Sequence, residues 1–214
     1  MRYRKTAEWN RLDNAAKIFP PASSKRDSKV FRFACELYEE VDPEFLQASL
    51  EQTIEMFPIF KSVLRKGLFW YYLEESNLCP VVHAENQMPC SPLYDGDRRD
   101  LLFRVTYFRR RINLEVHHAI TDGTGAMQFL RLLVYHYIAL KHAQDFPDGL
   151  PPMDYDASMA QREADSFQKY YSGKQHVKME QMPPAYQIRG LRLPTGQMRV
   201  MEGVMSAQAV LDIA

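Results

Sequence analysis

Apolar and polar side chains alternate with a period of two along residues 30–41, which predicts a half-buried strand. After Asp42, a candidate helix cap, and Pro43, apolar positions recur at helical spacing as far as Pro58 and predict a helix. Shorter apolar runs predict further strands at 61–66, 69–74, 80–84, 101–108 and 112–118. The last two runs form a predicted hairpin around three arginines, 109–111, which we interpret as a solvated turn because no Gly-rich phosphate loop accompanies them.

Helical spacing returns over residues 124–141, so helices and strands alternate in the order of an α/β fold. Residues 144–157 hold three prolines and predict a surface loop. Beyond them the pattern predicts a short helix at 160–171, a loop at 178–196, a strand at 197–205 and a helix capped by Ser206. Because the chain ends inside that helix, we expect these residues to be the first part of a longer polypeptide.

The composition limits the classes of function. The chain has 214 residues, 46% hydrophobic and 12% aromatic, which is enough to bury a substantial core. Basic and acidic residues both total 27, so no net positive charge favours nucleic acid or an anionic membrane as a partner. Neither a signal peptide nor a membrane helix is evident, which predicts a cytoplasmic protein. The 3 cysteines lack metal-site or redox spacing, so we expect reduced thiols and no bound metal.

Two adjacent histidines stand where the last predicted strand ends. Strand alternation places His118 on the same face as the apolar residues of 112–118, and His117 on the opposite, polar face. An imidazole on an interior face tends to be neutral, because desolvation disfavours its charged form, and a neutral imidazole can accept a proton. His118 is therefore the candidate general base, and we expect an orienting role for His117.

Asp122 and Gly123 follow at the turn into the next predicted helix. Asp122 is placed to cap that helix or to pair with a buried cation, and Gly123 offers conformational freedom and close backbone approach. A metal site formed by His117, His118 and Asp122 is the less favoured alternative, because adjacent side chains of a strand point apart. Taken singly, a histidine at a strand end is more often a hydrogen-bonded core residue. The presence of two histidines at a fixed spacing from Asp-Gly favours a catalytic role over a structural one.

The heptapeptide HHAITDG, His117 to Gly123, matches the HHxxxDG motif of the chloramphenicol acetyltransferase-like superfamily. That superfamily includes condensation domains of nonribosomal peptide synthesis, polyketide-associated acyltransferases and alcohol O-acetyltransferases. The N-terminal stretch EWNRLDNAAKIFP most resembles the bacterial alcohol O-acetyltransferases. The resemblance implies a two-layer α+β lobe with a mixed, largely antiparallel sheet flanked by helices. It also implies an enzyme of two lobes, with residues 1–175 as the N-terminal lobe and residues 176–214 as a crossover segment and the start of the second lobe.

In enzymes of this kind the second motif histidine, here His118, is the catalytic base, and no acyl-enzyme forms. His117, Asp122 and Gly123 would shape the motif, and the aspartate is usually tied to an arginine. Arg11 resembles the partner arginine found near the N terminus of the single-domain antibiotic acetyltransferases. The resemblance implies an acyl-CoA donor, with acetyl-CoA expected, and an alcohol or amine acceptor. One departure is that a long segment follows the motif here, whereas the motif lies near the C terminus of the single-domain members.

Three functions remain open from the sequence. The first is transfer of an acyl group from a CoA thioester to a small alcohol or amine. The second is a condensation-type domain that receives acyl groups from an acyl carrier protein. The third is a non-catalytic scaffold of the same fold. The missing lobe leaves two further alternatives open, namely a fragment without activity of its own and a homo-oligomer that completes the site across an interface.

Overall fold

The structure is a computed structural model that describes residues 9–94, 96 and 98–153, together with 184, 190, 193–194, 197 and 203–212. The chain divides into two compact units, Met1–Lys178 and Met179–Ala214. The first unit contains both sheets and all of the motif. In the second unit the structure describes one short helix.

Seven strands and four α-helices make up the described part of the chain. The strands are β1 (Trp9–Arg11), β2 (Val30–Glu36), β3 (Ser62–Lys66), β4 (Tyr71–Glu75), β5 (His83–Ala84), β6 (Phe103–Phe108) and β7 (Arg111–His117). The α-helices are α1 (Phe19–Ala22), α2 (Pro43–Glu55), α3 (Gly123–Lys141) and α4 (Ala207–Leu211). Short 3-10 helices lie at Ala16–Ile18 and Pro58–Lys61.

The strands form two sheets. One sheet has the order β2-β7-β6-β5, with antiparallel pairs except for the parallel pair of β5 and β6. The other is antiparallel and has the order β1-β4-β3. A single bridge between Val63 and Leu101 joins β3 to the segment that leads into β6. The predicted fold class, a mixed and largely antiparallel α/β architecture flanked by helices, is therefore confirmed.

Helices α2 and α3 pack on each other, and α3 packs on β2 and β7. An aromatic cluster fills the space between them and β6: Phe60 stacks on Phe129 with ring centroids 4.2 Å apart, and Phe57 and Phe103 meet the same ring edge-on. Each of these rings removes a large apolar area from water. Both β7 and α3, the two elements that carry the motif, contribute side chains to this core.

Strand β7 is buried on both faces, although the sequence predicts that one of these faces is polar. Its apolar side chains, Ile112, Leu114 and Val116, are fully buried, and so are Asn113, Glu115 and His117 between them. The polar face is covered by the chain that follows β5, because the Cys90 amide donates to Glu115 and the Glu85 carboxylate accepts from Asn113. A central strand of a covered sheet has no solvent face.

Most predicted elements are confirmed, with shorter ends. β2 ends at Glu36 rather than at residue 41, and α2 gives way to a 3-10 helix before β3. Ser206 caps α4 as predicted, its hydroxyl accepting from the Ala209 amide at 3.1 Å. The prediction of a strand at 197–205 is wrong for residues 203–205, which have no strand partner among the described residues. The helix predicted at 160–171 lies outside the described residues.

Two further observations bear on the class of protein. Among the residues that the structure describes, no helix is long and apolar enough to cross a bilayer. Cys35, Cys79 and Cys90 are all free thiols, and burial raises the pKa of Cys35 and of Cys90 above the ordinary range. The thiols of these two residues are therefore in the protonated, weakly nucleophilic form at neutral pH.

Candidate active site

The motif occupies the connection between β7 and α3. The strand ends at His117, and after a short turn Asp122 becomes the N-cap of α3. Its carboxylate accepts a hydrogen bond from the Gly125 amide at 2.9 Å, and its carbonyl accepts from Ala126. A capping aspartate satisfies amides that the first helical turn leaves without partners. The cap therefore fixes where the helix starts relative to the two histidines.

His118 lies just past the strand, partly exposed, against two phenylalanine rings. Its ring stacks on Phe19 with centroids 4.7 Å apart and planes inclined by 16°, and it meets Phe31 at 4.3 Å with a 36° tilt. Its backbone amide donates to the Lys29 carbonyl at 2.9 Å. Phe31 is the register partner of Val116, so His118 lies on the apolar face of the sheet.

Burial is the main cause that lowers the pKa of His118, and the charge of Lys29 lowers it further. A hydrogen bond with the Thr121 backbone and the charge of Asp122 act in the opposite direction without reversing the shift. The ring is therefore neutral at physiological pH. A neutral imidazole that keeps some exposure can accept a proton from a group that approaches from solvent.

His117 is fully buried, although the sequence places it on the polar face of the strand. Burial, helped by the neighbouring His118, lowers the pKa of His117 to about 4. Both ring nitrogens have partners: Nδ1 accepts from the Ala119 amide at 3.1 Å, and Nε2 lies 3.0 Å from the Ser23 hydroxyl. The burial of His117 follows because the chain after β5 covers the polar face of β7.

Arg11 does not pair with Asp122, contrary to the expectation from the sequence. Arg11 is exposed on β1, in the other sheet, where it is the register partner of Tyr72. Within the described residues no ion pair joins it to Asp122, whose carboxylate is exposed and serves the helix cap instead. An exposed cap needs no cation, because amides of the first turn and water solvate its charge.

The close approach expected at Gly123 occurs instead at Gly125. Gly123 has no positive φ, and a Cβ there would make an ordinary 3.7 Å contact with Phe33. A Cβ at Gly125 would overlap the Thr121 hydroxyl. The closest approach in the motif turn is therefore two residues further along than the sequence pattern indicates.

Sequence reasoning missed a network of ion pairs on the polar face of β7. The buried Glu115 carboxylate accepts from Arg32 Nε at 2.8 Å, from the Cys90 amide at 2.7 Å and from the Arg104 guanidinium. Glu85 accepts from Arg32 at 2.5 Å and from Arg111 at 3.2 Å. The network joins β2, β6, β7 and the segment after β5. The signal in the sequence was an acidic residue between apolar neighbours in a strand, with arginines at polar positions of two other strands.

A cleft of about 190 Å³ adjoins this network, with Arg32, Glu85, Arg104 and Glu115 in its wall. Because side chains alternate along β7, Glu115 points to the face opposite Val116 and therefore opposite His118. The cleft and the candidate base thus belong to different sides of the sheet. Within the described residues no group of three His, Cys, Asp or Glu side chains is arranged to hold a metal ion.

Comparison with known proteins identifies the fold. No protein-family model matches the sequence, and no curated protein matches it. A variant of the starter condensation domain of rhizomide synthetase RzmA matches with a TM-score of 0.56 and 13% identity, over 77% of this chain and 45% of that chain. A variant of the same domain in complex with C8-CoA matches with a TM-score of 0.56 and 15% identity, over 75% and 42%.

The first condensation domain of the CDA synthetase is also similar, with a TM-score of 0.51 and 15% identity over 64% of this chain and 41% of that chain. The described residues therefore have the fold of these condensation domains. The chain spans less than half the length of the solved chains it matches. The resemblance of the N-terminal stretch to alcohol O-acetyltransferases stays a prediction.

Proposed function

We propose that this protein is an acyltransferase that moves an acyl group from a thioester to an alcohol or amine, with His118 as general base. The observation that carries the proposal is the contrast within the motif, where His117 is fully buried and His118 is neutral, partly exposed and braced by Phe19 and Phe31. A base needs both a free proton-accepting site and access to the substrate. Of the two histidines, only His118 retains exposure.

The proposed reaction has two steps. As the acceptor oxygen or nitrogen attacks the thioester carbonyl carbon, its proton passes to the neutral His118 ring. The tetrahedral intermediate then collapses, the carbon–sulfur bond breaks, and the proton on His118 passes to the departing thiolate. No bond forms between the protein and the acyl group, and the free cysteines and serines are not required as nucleophiles.

The proposed donor is an acyl-CoA, and acetyl-CoA is the first candidate. The C8-CoA complex of a similar domain supports a CoA donor and makes octanoyl-CoA the second candidate. A carrier-protein thioester is the alternative, which the similarity to condensation domains supports. We also propose that residues 1–175 correspond to an N-terminal lobe and residues 176–214 to a crossover segment and the start of a second lobe, because the match covers less than half of each solved chain.

The test is thiol release from acetyl-CoA, octanoyl-CoA and an acylated carrier protein, by the full-length natural protein with a panel of alcohols and amines. We expect acceptor-dependent release that falls by about 10²- to 10⁴-fold in His118→Ala, the range for loss of a general base. His83→Ala is the matched control, because it removes an exposed histidine of the same sheet outside the motif. Equal acceptor-dependent rates in His118→Ala and the natural protein would contradict His118 as the base, and no release from any donor by the natural protein would favour the non-catalytic scaffold.

A further inference from the structure

The hydrogen bonds of His117 determine which of its nitrogens carries the proton. A backbone amide can only donate, so the bond from Ala119 places a lone pair on Nδ1. The buried neutral ring then carries its proton on Nε2, which donates to the Ser23 hydroxyl at 3.0 Å. The tautomer follows from the partners and needs no assumption about a ligand.

The Ser23 hydroxyl accepts one hydrogen bond and donates another. It accepts from His117 and donates to the Phe19 carbonyl at 2.8 Å, while the Ser23 amide donates to the Pro20 carbonyl. Ser23 is the C-cap of α1, a single turn of helix that spans Phe19–Ala22. One hydroxyl thus ties this short helix to the end of β7, 94 residues away in sequence.

The helix that Ser23 ties to β7 carries Phe19, whose ring stacks on His118. Phe19 begins α1, and its side chain lies nearly parallel to His118 at 4.7 Å. Such a short helix has little stability of its own, so its position depends on tertiary contacts. If the bond from His117 to Ser23 is lost, α1 loses the side-chain hydrogen bond that ties it to the end of β7.

We propose that Ser23 is a positioning residue for His118, acting through the His117 tautomer and the stacked Phe19 ring. This inference rests on the proposed role of His118 as base. Ser23 itself touches no reacting atom. Its effect on the reaction passes through the orientation and desolvation of the His118 ring.

The test combines imidazole nitrogen NMR with kinetics on the full-length protein labelled with ¹⁵N-histidine. In the natural protein we expect His117 as the Nε2–H tautomer and a His118 titration midpoint below the ordinary value of about 6.5. In Ser23→Ala we expect the His118 midpoint to rise toward that value, because the ring gains water. We also expect kcat to fall about tenfold, with KM little changed, because ground-state binding is not altered.

Two variants keep the result interpretable. Ser23→Thr retains the hydroxyl and is expected to restore the His118 midpoint and kcat. Ser28→Ala removes another partly buried serine that donates to a distant carbonyl, that of Cys90 at 2.7 Å, and is expected to change neither value. The proposal is overturned if the His118 midpoint in Ser23→Ala equals that of the natural protein, or if Ser28→Ala shifts it equally.

The NMR readout does not depend on catalysis, which separates the two proposals. A shifted His118 midpoint in Ser23→Ala, in a protein that transfers no acyl group from any donor, supports the positioning role and contradicts the proposed function. An unshifted midpoint in an active protein contradicts the positioning role and leaves the function standing.

Discussion

The two faces of β7 are equally buried but are stabilised in different ways. On one face Leu114 and Val116 pack into the apolar core, where contact area alone determines the gain. On the other face Glu115 is stabilised only because two guanidinium groups and an amide are aimed at it. A buried charge without partners costs several kcal/mol. The apolar face therefore depends on filled volume, while the polar face depends on every partner being present.

The same difference separates the two motif histidines. His117 ends the polar face and is enclosed, with both ring nitrogens hydrogen-bonded. His118 comes one residue later, on the apolar side, where aromatic rings brace it and the Thr121 backbone is a hydrogen-bond partner. Neighbours in sequence thus have different tasks because a strand turns alternate side chains to opposite sides.

The largest effect is expected from removing the central charge of the polar face. Glu115→Ala leaves the half-buried Arg32 and Arg104 without their shared, fully buried partner, and we expect the free energy of unfolding to fall by roughly 3–5 kcal/mol. The measurement is urea denaturation. Glu36→Ala is the matched control, because its pair with Arg110 lies in the same sheet but is exposed, and we expect it to cost less than about 1 kcal/mol. Equal losses in the two variants would contradict a stabilising role for the network.

A second prediction concerns the pH dependence of stability that His117 contributes. Its folded pKa of about 4 lies below the unfolded value of about 6.5, so between these pH values the unfolded chain binds more protons. The stability from keeping the ring neutral is present above pH 6.5 and is lost as pH falls through 4, a change of roughly 3 kcal/mol.

Urea denaturation from pH 4 to pH 7 measures this contribution as the difference between the natural protein and His117→Gln. The variant should show a flatter dependence. His142 contributes in the opposite direction, because Glu39 and Asp145 raise its pKa, so its stabilisation is lost as pH rises through that raised value. Since His142 is present in both proteins, its contribution cancels. Parallel curves for the two proteins would show that His117 is protonated as easily when folded as when unfolded.

The smallest effect concerns the motif turn and compares its two glycines. We expect Gly125→Ala to lower the free energy of unfolding by about 1–3 kcal/mol, because the new Cβ must displace the Thr121 hydroxyl. Gly123→Ala should cost little, because its Cβ makes only an ordinary contact and alanine favours a helix. Thr121→Ala in the Gly125→Ala background should restore most of the loss. If the double variant is no more stable than Gly125→Ala, the Thr121 contact is not the cause.

Local signals were enough for most of the elements. Asp42 followed by Pro43 predicts the start of α2, and both of its predicted capping features are present. Asp122 caps α3, where the sequence allowed a cap or an ion pair. These predictions succeed because a cap and the amides it bonds lie within three residues of each other in sequence, so the contact can be inferred from the sequence alone.

Non-local contacts were where prediction failed. Arg11 was paired with Asp122 by resemblance, but it lies on β1, in a different sheet. The network around Glu115 was not foreseen, because Arg32 and Glu115 are 83 residues apart and meet only through the β2–β7 register. The close glycine was placed at residue 123 instead of 125 because the Thr121 rotamer determines which position is crowded.

The sequence by itself determined the strand and helix periods, the cap at Asp42 and the motif from His117 to Gly123, because each depends on residues within a few positions of one another. The tertiary structure alone decided which histidine is enclosed and which keeps exposure. That outcome depends on the chain after β5, which covers one face of β7. It also depends on α1 and its C-cap, because Ser23 bonds His117 and Phe19 stacks on His118. Burial is a property of the whole packed chain, so the environment of each imidazole is set by segments far away in sequence.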